Sequence, residues 1–221
     1  MANLIDLHEK APGYYSQGRF EMLEFIPSSA KKILDVGCGE GWFGEQLKKV
    51  GKEIWGIEID RKSAFAGEGR LFRVIVGDAV SAISDLPDKY FDCVVCNDVL
   101  EHLVDPYNFL LKMKLKLSPE GLIVASIPNV RYFYNLKKLL IEKQWKYENF
   151  GILDKTHVRF FTEKSIRETF NFLGFEILRI QGINAFKPSW KFKILNLFLF
   201  GNLSDTLYLQ FACVIKNISS E

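Results

Sequence analysis

The chain has 221 residues, enough to bury one sizeable core. Its composition, 48% hydrophobic and 25% charged, is that of an ordinary folded domain, and a formal net charge of +2 leaves no broad electrostatic footprint for nucleic acid. No uncharged apolar run reaches the length of a membrane span, and Met1 to Lys10 lacks the apolar centre of a signal peptide, so a cytoplasmic location is the expectation.

Residues 1–12 read as a lead-in to Pro12-Gly13. Tyr14 to Ile26 reads as a helix, with Phe20, Leu23 and Phe25 as its apolar positions and Pro27 marking its end. Ile33, Leu34 and Val36 then make a short buried strand that runs into Gly37-Cys38-Gly39-Glu40-Gly41. Glycines there let the backbone turn sharply and approach a ligand closely. A dinucleotide fingerprint wants a small residue at position 42, which here is Trp42. Asp35, just before the first glycine, would repel a pyrophosphate and suits a cationic group such as an α-ammonium. The loop therefore points to an amino-acid-bearing nucleoside rather than a dinucleotide.

A helix from about Trp42 to Val50 follows, with Gly51 in the position of a C-cap, and Glu53 to Asp60 reads as the second strand. Glu58 falls about twenty residues after the glycine loop, where such folds place a carboxylate on ribose hydroxyls. A helix near Arg61 to Gly67 leads to a third strand, Phe72 to Val76, ending in Gly77-Asp78-Ala79. The fourth strand, Phe91 to Cys96, contains a C-x-x-C pair. Cys93 and Cys96 are three apart on a strand, so they point to opposite faces and read as small buried hydrophobes rather than a zinc or redox pair.

Asp105-Pro106 starts a helix reaching about Leu117, and Gly121 to Ile127 is the fifth strand, ended by Pro128-Asn129. Tyr132 to Trp145 reads as an amphipathic helix with a solvated lysine face. Thr162 reads as the N-cap of a helix carrying Ile166, Phe170 and Leu173 and stopped by Gly174. Phe175 to Ile183 and Leu207 to Lys216 are the sixth and seventh strands. The alternation argues for an α/β fold, a parallel sheet covered on both faces, with ligands at the carboxyl ends of its strands. The glycines and acids singled out all fall at those ends.

The L-D-V-G-C-G-x-G loop, together with Val99-Leu100-Glu101-His102, resembles the class I S-adenosylmethionine-dependent methyltransferases, particularly their small single-domain group. The resemblance runs from about Tyr14 to the last strand. It implies a Rossmann-like sheet of seven mostly parallel strands with the last antiparallel. It also implies one domain, with a helical lid over 1–30, a cofactor-binding core over 31–128, and substrate-side insertions at 129–161 and 184–206. The implied cofactor is S-adenosylmethionine, held by Asp35, Gly37, Cys38, Gly39, Glu58 with Ile59, Asp78 with Ala79, and Asn97. Asp78 is either the acid on the adenine amino group or the N-cap of the next short helix. Tyr14 and Tyr15 lie either near the sulfonium and substrate or in ordinary packing. Asn97-Asp98-Val99-Leu100 is not the N/D-P-P-Y/F tetrad of enzymes that methylate base amino groups, which argues against that chemistry.

The substrate side is less defined. If Asn149 to Phe161 is extended, His157, Arg159 and Phe161 share one face, and Thr156, Val158 and Phe160 the other. The H-x-R-F-F-T pattern resembles one in family members associated with sugar and cell-envelope biosynthesis. A hydroxyl acceptor benefits from a base near neutral pKa, which makes His157 the first candidate and His102 the second, against a structural role for either. Arg159 suits a carboxylate or phosphate of the substrate, and Asn129 and Arg131 lie at the same sheet edge. With three histidines and four cysteines at no ligand spacing, no metal site is expected. The aromatic and lysine-containing segment 186–200 has three readings: a hairpin packed on the core, a dimer or partner surface, or a basic apolar patch at a membrane. The expectation is a methyltransferase, monomeric or homodimeric, acting on a small-molecule or glycan hydroxyl. A quinone or lipid-like acceptor and a cofactor-binding scaffold without turnover are the alternatives, and Asp35 and Trp42 disfavour a dehydrogenase.

Overall fold

The computed structural model describes residues 18–218. Seven strands form one sheet in the order β3-β2-β1-β4-β5-β7-β6. They are β1 (Lys32–Val36), β2 (Glu53–Glu58), β3 (Arg73–Val76), β4 (Phe91–Asn97), β5 (Leu117–Pro128), β6 (Phe175–Ala185) and β7 (Tyr208–Asn217). The pairs β1–β2, β1–β4, β2–β3 and β4–β5 are parallel, whereas β7 runs antiparallel to both β5 and β6. The expected Rossmann-like arrangement, with its last strand reversed, is the one observed.

Period-two alternation splits the strands between two cores. Leu34, Val36, Val94, Cys96 and Ile123 face one side with Phe109 and Met113 of α3 (Pro106–Lys116) and Ile166 and Phe170 of α5 (Glu163–Phe172). Ile33, Cys93, Val95 and Val124 face the other with Phe43 and Leu47 of α1 (Trp42–Lys49) and with Met22 and Phe25. Cys93 and Cys96 thus lie on opposite faces, as their spacing required, and all four cysteines are buried free thiols. Caps set the helix starts. Asp60 accepts the N–H of Ser63 at the head of α2 (Arg61–Glu68), and Thr162 and Ser165 cap each other reciprocally at the head of α5.

Four expectations are corrected. Within the described part of Tyr14 to Ile26, only a 3-10 turn forms, Phe20–Phe25, because Arg19 adopts a left-handed φ of 41°. Tyr14 and Tyr15 lie outside the described residues. The Tyr132–Trp145 helix is shorter, α4 (Phe133–Leu140), and the chain beyond it turns back through Lys143 at φ 53°. Residues 149–161 form turns rather than a strand. The N–H groups of Val158 and Arg159 both converge on the carbonyl of Glu101, which bends the chain and leaves His157 buried but Arg159 exposed. His157 and Arg159 therefore do not share a face.

The fourth correction concerns 186–200 and falls on the first of its three readings, a hairpin packed on the core. Ser189 accepts the N–H of Phe192 and opens α6 (Trp190–Phe198) instead. Phe192 is the buried anchor of this helix, packed edge-on against Phe133 and Phe186 at centroid distances of 5.3 and 5.7 Å. Trp190, Leu197, Phe198 and Phe200 are exposed, the last at 94%. Among the described residues no helix is long and apolar enough to cross a membrane.

Candidate functional site

The parallel strands bring their carboxyl ends level. Asp35 pairs with Gly56 and Val95, Val36 with Ile57 and Cys96, and Glu58 with Val76, so the glycine loop, Glu58 and Asn97 emerge together. Gly37, Gly39 and Gly41 have φ values of 71°, 53° and 82°, a left-handed run that only glycine adopts without strain. The run lets the loop fold back onto β2, where the N–H groups of Gly37 and Cys38 both donate to the carbonyl of Ile57. Close approach also needs Gly56, whose missing Cβ would sit 2.5 Å from Cys38 Sγ.

Two carboxylates define the electrostatics. Glu58 is buried and accepts the N–H of Gly39 on Oε2 and of Asp60 on Oε1, each at 2.8 Å. Burial raises its pKa against the lowering effect of these hydrogen bonds. Asp35 is 3% exposed, and burial, reinforced by the negative charge of Glu58, pushes its carboxyl up to about 8. Its Oδ2, like Oδ1 of Asn97, is buried with no hydrogen-bond partner among the described residues. Orphaned buried acceptors beside a glycine cradle are what a ligand carrying donors and a positive charge satisfies. Cys38, buried beneath the loop, has its thiol pushed up by burial and the two acids and contributes its backbone.

The remaining cofactor-side residues are more peripheral. Ile59 is 65% exposed at the end of β2. Asp78 precedes the following 3-10 turn: the Ser81 hydroxyl donates to its Oδ2, and its Oδ1 accepts the N–H groups of Val80 and Ser81 at 3.0 and 3.1 Å. The Ser81 hydroxyl and then its N–H hold the carboxyl below the usual range. Ala79 packs at the edge of the core.

Past Asn97 the chain makes a 3-10 turn, Leu100–His102, that carries the second half of the site. His102 Nδ1 faces the carbonyl and hydroxyl oxygens of Thr156 at 3.2 and 3.0 Å, and the Thr156 hydroxyl donates to buried Asp154 at 2.7 Å. His157 Nδ1 lies 2.9 Å from the carbonyl of Ile152, and its Nε2 is 3.8 Å from Glu101 Oε1. The two imidazoles meet edge-to-face at 4.6 Å. The two base candidates thus form one cluster with Glu101. That cluster borders a cavity of about 520 Å³ lined by Arg19, Asp98, Glu101, Asp154, His157 and Gln210, among others.

Three substrate-side candidates are held away from this cavity. Asn129 is fully buried and donates to the carbonyls of Asp205 and Tyr208, while Arg131 makes a two-pronged pair with Asp205. Together they staple the end of β5 to the start of β7. Arg159 donates to the carbonyl of Val104 at the surface. Sequence reasoning missed the cavity's polar wall: Arg19 pairs with Asp98 and donates to Ser126 and Gln210, and Gln210 donates to Asp98 at 2.6 Å. A weak signal existed in Asp98, a carboxylate at a strand end, and it sits at φ 53°.

Residues 7–180 match the family model of a methyltransferase domain. The chain belongs to the class I S-adenosylmethionine-dependent methyltransferases. A solved S-adenosylmethionine-dependent methyltransferase from Archaeoglobus fulgidus shares the methyltransferase fold, with a TM-score of 0.66 and 24% identity over 90% of this chain and 91% of that one. Among curated relatives, the mitochondrial ubiquinone biosynthesis O-methyltransferase of Schizosaccharomyces pombe is 37% identical over 108 residues, 44% of this chain and 38% of that protein. The ubiquinone biosynthesis O-methyltransferase of Rickettsia canadensis is 28% identical over 174 residues, 74% of this chain and 71% of that protein. A probable S-adenosylmethionine-dependent methyltransferase of Mycobacterium tuberculosis is 33% identical over 101 residues, 46% of this chain and 37% of that protein. The chain spans under two-fifths of the length of the first of these relatives. S-adenosylmethionine is the cofactor of this family, and the orphaned acceptors of Asp35 and Asn97, with the Glu58 carboxylate beside the glycine loop, fit a ligand that carries donors and a positive charge.

Proposed function

We propose that this methyltransferase transfers a methyl group to a hydroxyl of a small acceptor seated in the cavity beside Glu101, His102 and His157. The observation that carries the reading is that cluster's place, one turn beyond Asn97 and open to a cavity of drug-like size. S-adenosylmethionine, when bound, supplies an electrophilic methyl group on a sulfonium. Its sulfur would leave with the C–S electron pair as the acceptor oxygen bonds the methyl carbon, and the residues at hand to take the hydroxyl proton are those of the Glu101–His102–His157 cluster. His157 is oriented for that task. A carbonyl can only accept, so Nδ1 carries the proton toward Ile152 and the lone pair sits on Nε2, toward Glu101. Alignment of oxygen, carbon and sulfur supplies most of the rest.

An aromatic, quinone-type hydroxyl is the acceptor we favour, supported by the relatives named ubiquinone biosynthesis O-methyltransferases. The second reading is a sugar hydroxyl, supported by the polar wall of Arg19, Asp98, Asn184 and Gln210, which suits a polyol. Incubation with methyl-labelled S-adenosylmethionine and either a polyprenylated dihydroxybenzoate or a set of nucleotide sugars decides between them. Label entering the organic phase is the expected result. Label confined to a sugar moves the acceptor to the second reading, and tight cofactor binding with no transfer to any hydroxyl overturns both in favour of a scaffold.

A further inference from the structure

We propose that Glu101, His102 and His157 form a binding site for one first-row divalent cation, open on the cavity side. One ligand atom from each residue lies within 4.8 Å of the other two. Ligands about 2.1 Å from a tetrahedral ion sit roughly 3.4 Å apart, so the 3.8 Å between His157 Nε2 and Glu101 Oε1 closes with a shift of a few tenths of an ångström. Two imidazoles and a carboxylate suit zinc, manganese, cobalt or iron better than magnesium or calcium, which prefer all-oxygen shells.

The surroundings are those of a site built to orient ligands. His157 Nδ1–H donates to the carbonyl of Ile152. His102 Nδ1–H is directed at Thr156, whose hydroxyl proton is already given to Asp154. Each second contact fixes the tautomer and places the ring's lone pair on Nε2, the arrangement that metal-binding histidines show. Glu101 and His157 are both buried, so a cation held between them is shielded from bulk water and its charge is felt at close to full strength. Two of the three donors, Glu101 and His157, line the cavity, which leaves positions for water or substrate on that side, the pattern of a reactive rather than a structural site.

The site's role rests on the O-methyl transfer reading above. With the cation bound, a coordinated hydroxyl gives its proton to solvent water, keeps the electron pair that forms the O–C bond, and is aimed by the metal, so the histidines serve as ligands; only the cation-free site uses them as the base described above. Binding itself does not rest on that reading.

The test uses the full chain after dialysis against EDTA, titrated with Co2+, Mn2+ and Zn2+ by calorimetry, with the Co2+ complex followed by its visible absorption. One equivalent of each ion binds, Co2+ gives the intense bands of a low-coordinate site, and His157→Gln and Glu101→Gln each weaken binding at least tenfold. Both variants keep the wild-type affinity for S-adenosylhomocysteine, which shows that they fold. Absence of binding at millimolar ion, or binding unchanged in both variants, overturns the proposal. Methyl transfer measured with and without EDTA separates the two ideas: hydroxyl methylation indifferent to EDTA removes the metal and keeps the acceptor class, while metal binding with no hydroxyl methylated does the reverse.

Discussion

Asp35→Asn sharply weakens adenosyl-ligand binding while making the ligand-free protein more stable. Burial pushes the wild-type carboxyl up to about 8, and one of its oxygens has no hydrogen-bond partner among the described residues, so above neutral pH folding must hold a desolvated charge beside Glu58. The sign follows from linkage. A carboxyl whose folded pKa is raised contributes stability that is present below its unfolded pKa and is lost as pH rises through about 8. The amide never ionises. Its advantage over wild type is therefore small at pH 5 and reaches on the order of 1–3 kcal/mol at pH 9, about 2–4 °C per kcal/mol for a chain of this size. Scanning fluorimetry at both pH values reads this directly. Calorimetry with S-adenosylhomocysteine reads the other half: a loss of roughly 100-fold or more, matching a charge-assisted contact of about 3 kcal/mol. Cofactor binding to wild type should also release a proton near neutral pH, seen as a dependence of the apparent enthalpy on the buffer's ionisation heat. Wild-type affinity in the variant, or a stability difference that ignores pH, would falsify the role assigned to Asp35.

Glu58→Gln has the opposite effect on stability and the same effect on binding. The carboxylate accepts from Gly39 N–H on one oxygen and from Asp60 N–H on the other. Glutamine has one acceptor oxygen, so its NH2 group must confront one of these N–H donors inside a buried site. Releasing Gly39 loosens the loop, and the lost acceptor leaves one ribose hydroxyl unmatched. We expect destabilisation of about 1–3 kcal/mol and about 100-fold weaker binding of S-adenosylhomocysteine. The two variants together are diagnostic, because both lose ligand while their melting temperatures move apart. A melting temperature in Glu58→Gln equal to or above wild type would mean that Glu58 does not hold the loop.

What the sequence disclosed was local. The short buried strand of Ile33, Leu34 and Val36, the glycine run, the Thr162 cap and the opposed faces of Cys93 and Cys96 all follow from neighbours in the chain, and all are found. What it concealed depends on partners far away. Arg19 breaks the expected first helix because its guanidinium is held by Asp98, Ser126 and Gln210, up to 191 residues distant. His102 meets Thr156 across 54 residues, so no ligand spacing could announce the Glu101–His102–His157 cluster. Asn129 and Arg131 had the right address, the carboxyl edge of the sheet, but Asp205 and the approach to β7 claim their side chains. The helix α6 was within reach: Ser189 three residues before Phe192 is a capping signal that the aromatic density obscured.

The burial of every cysteine has a practical consequence. Cys38, Cys93, Cys96 and Cys213 are all enclosed, and burial drives each thiol well above its usual pKa, so hardly any thiolate exists at neutral pH. The folded chain is thereby silent toward maleimides without a single cysteine being removed. Phe150 borders the large cavity and is 68% exposed. A lone cysteine introduced there offers a unique attachment point for a fluorophore, one whose emission reports occupancy of the cavity during turnover in an otherwise native protein.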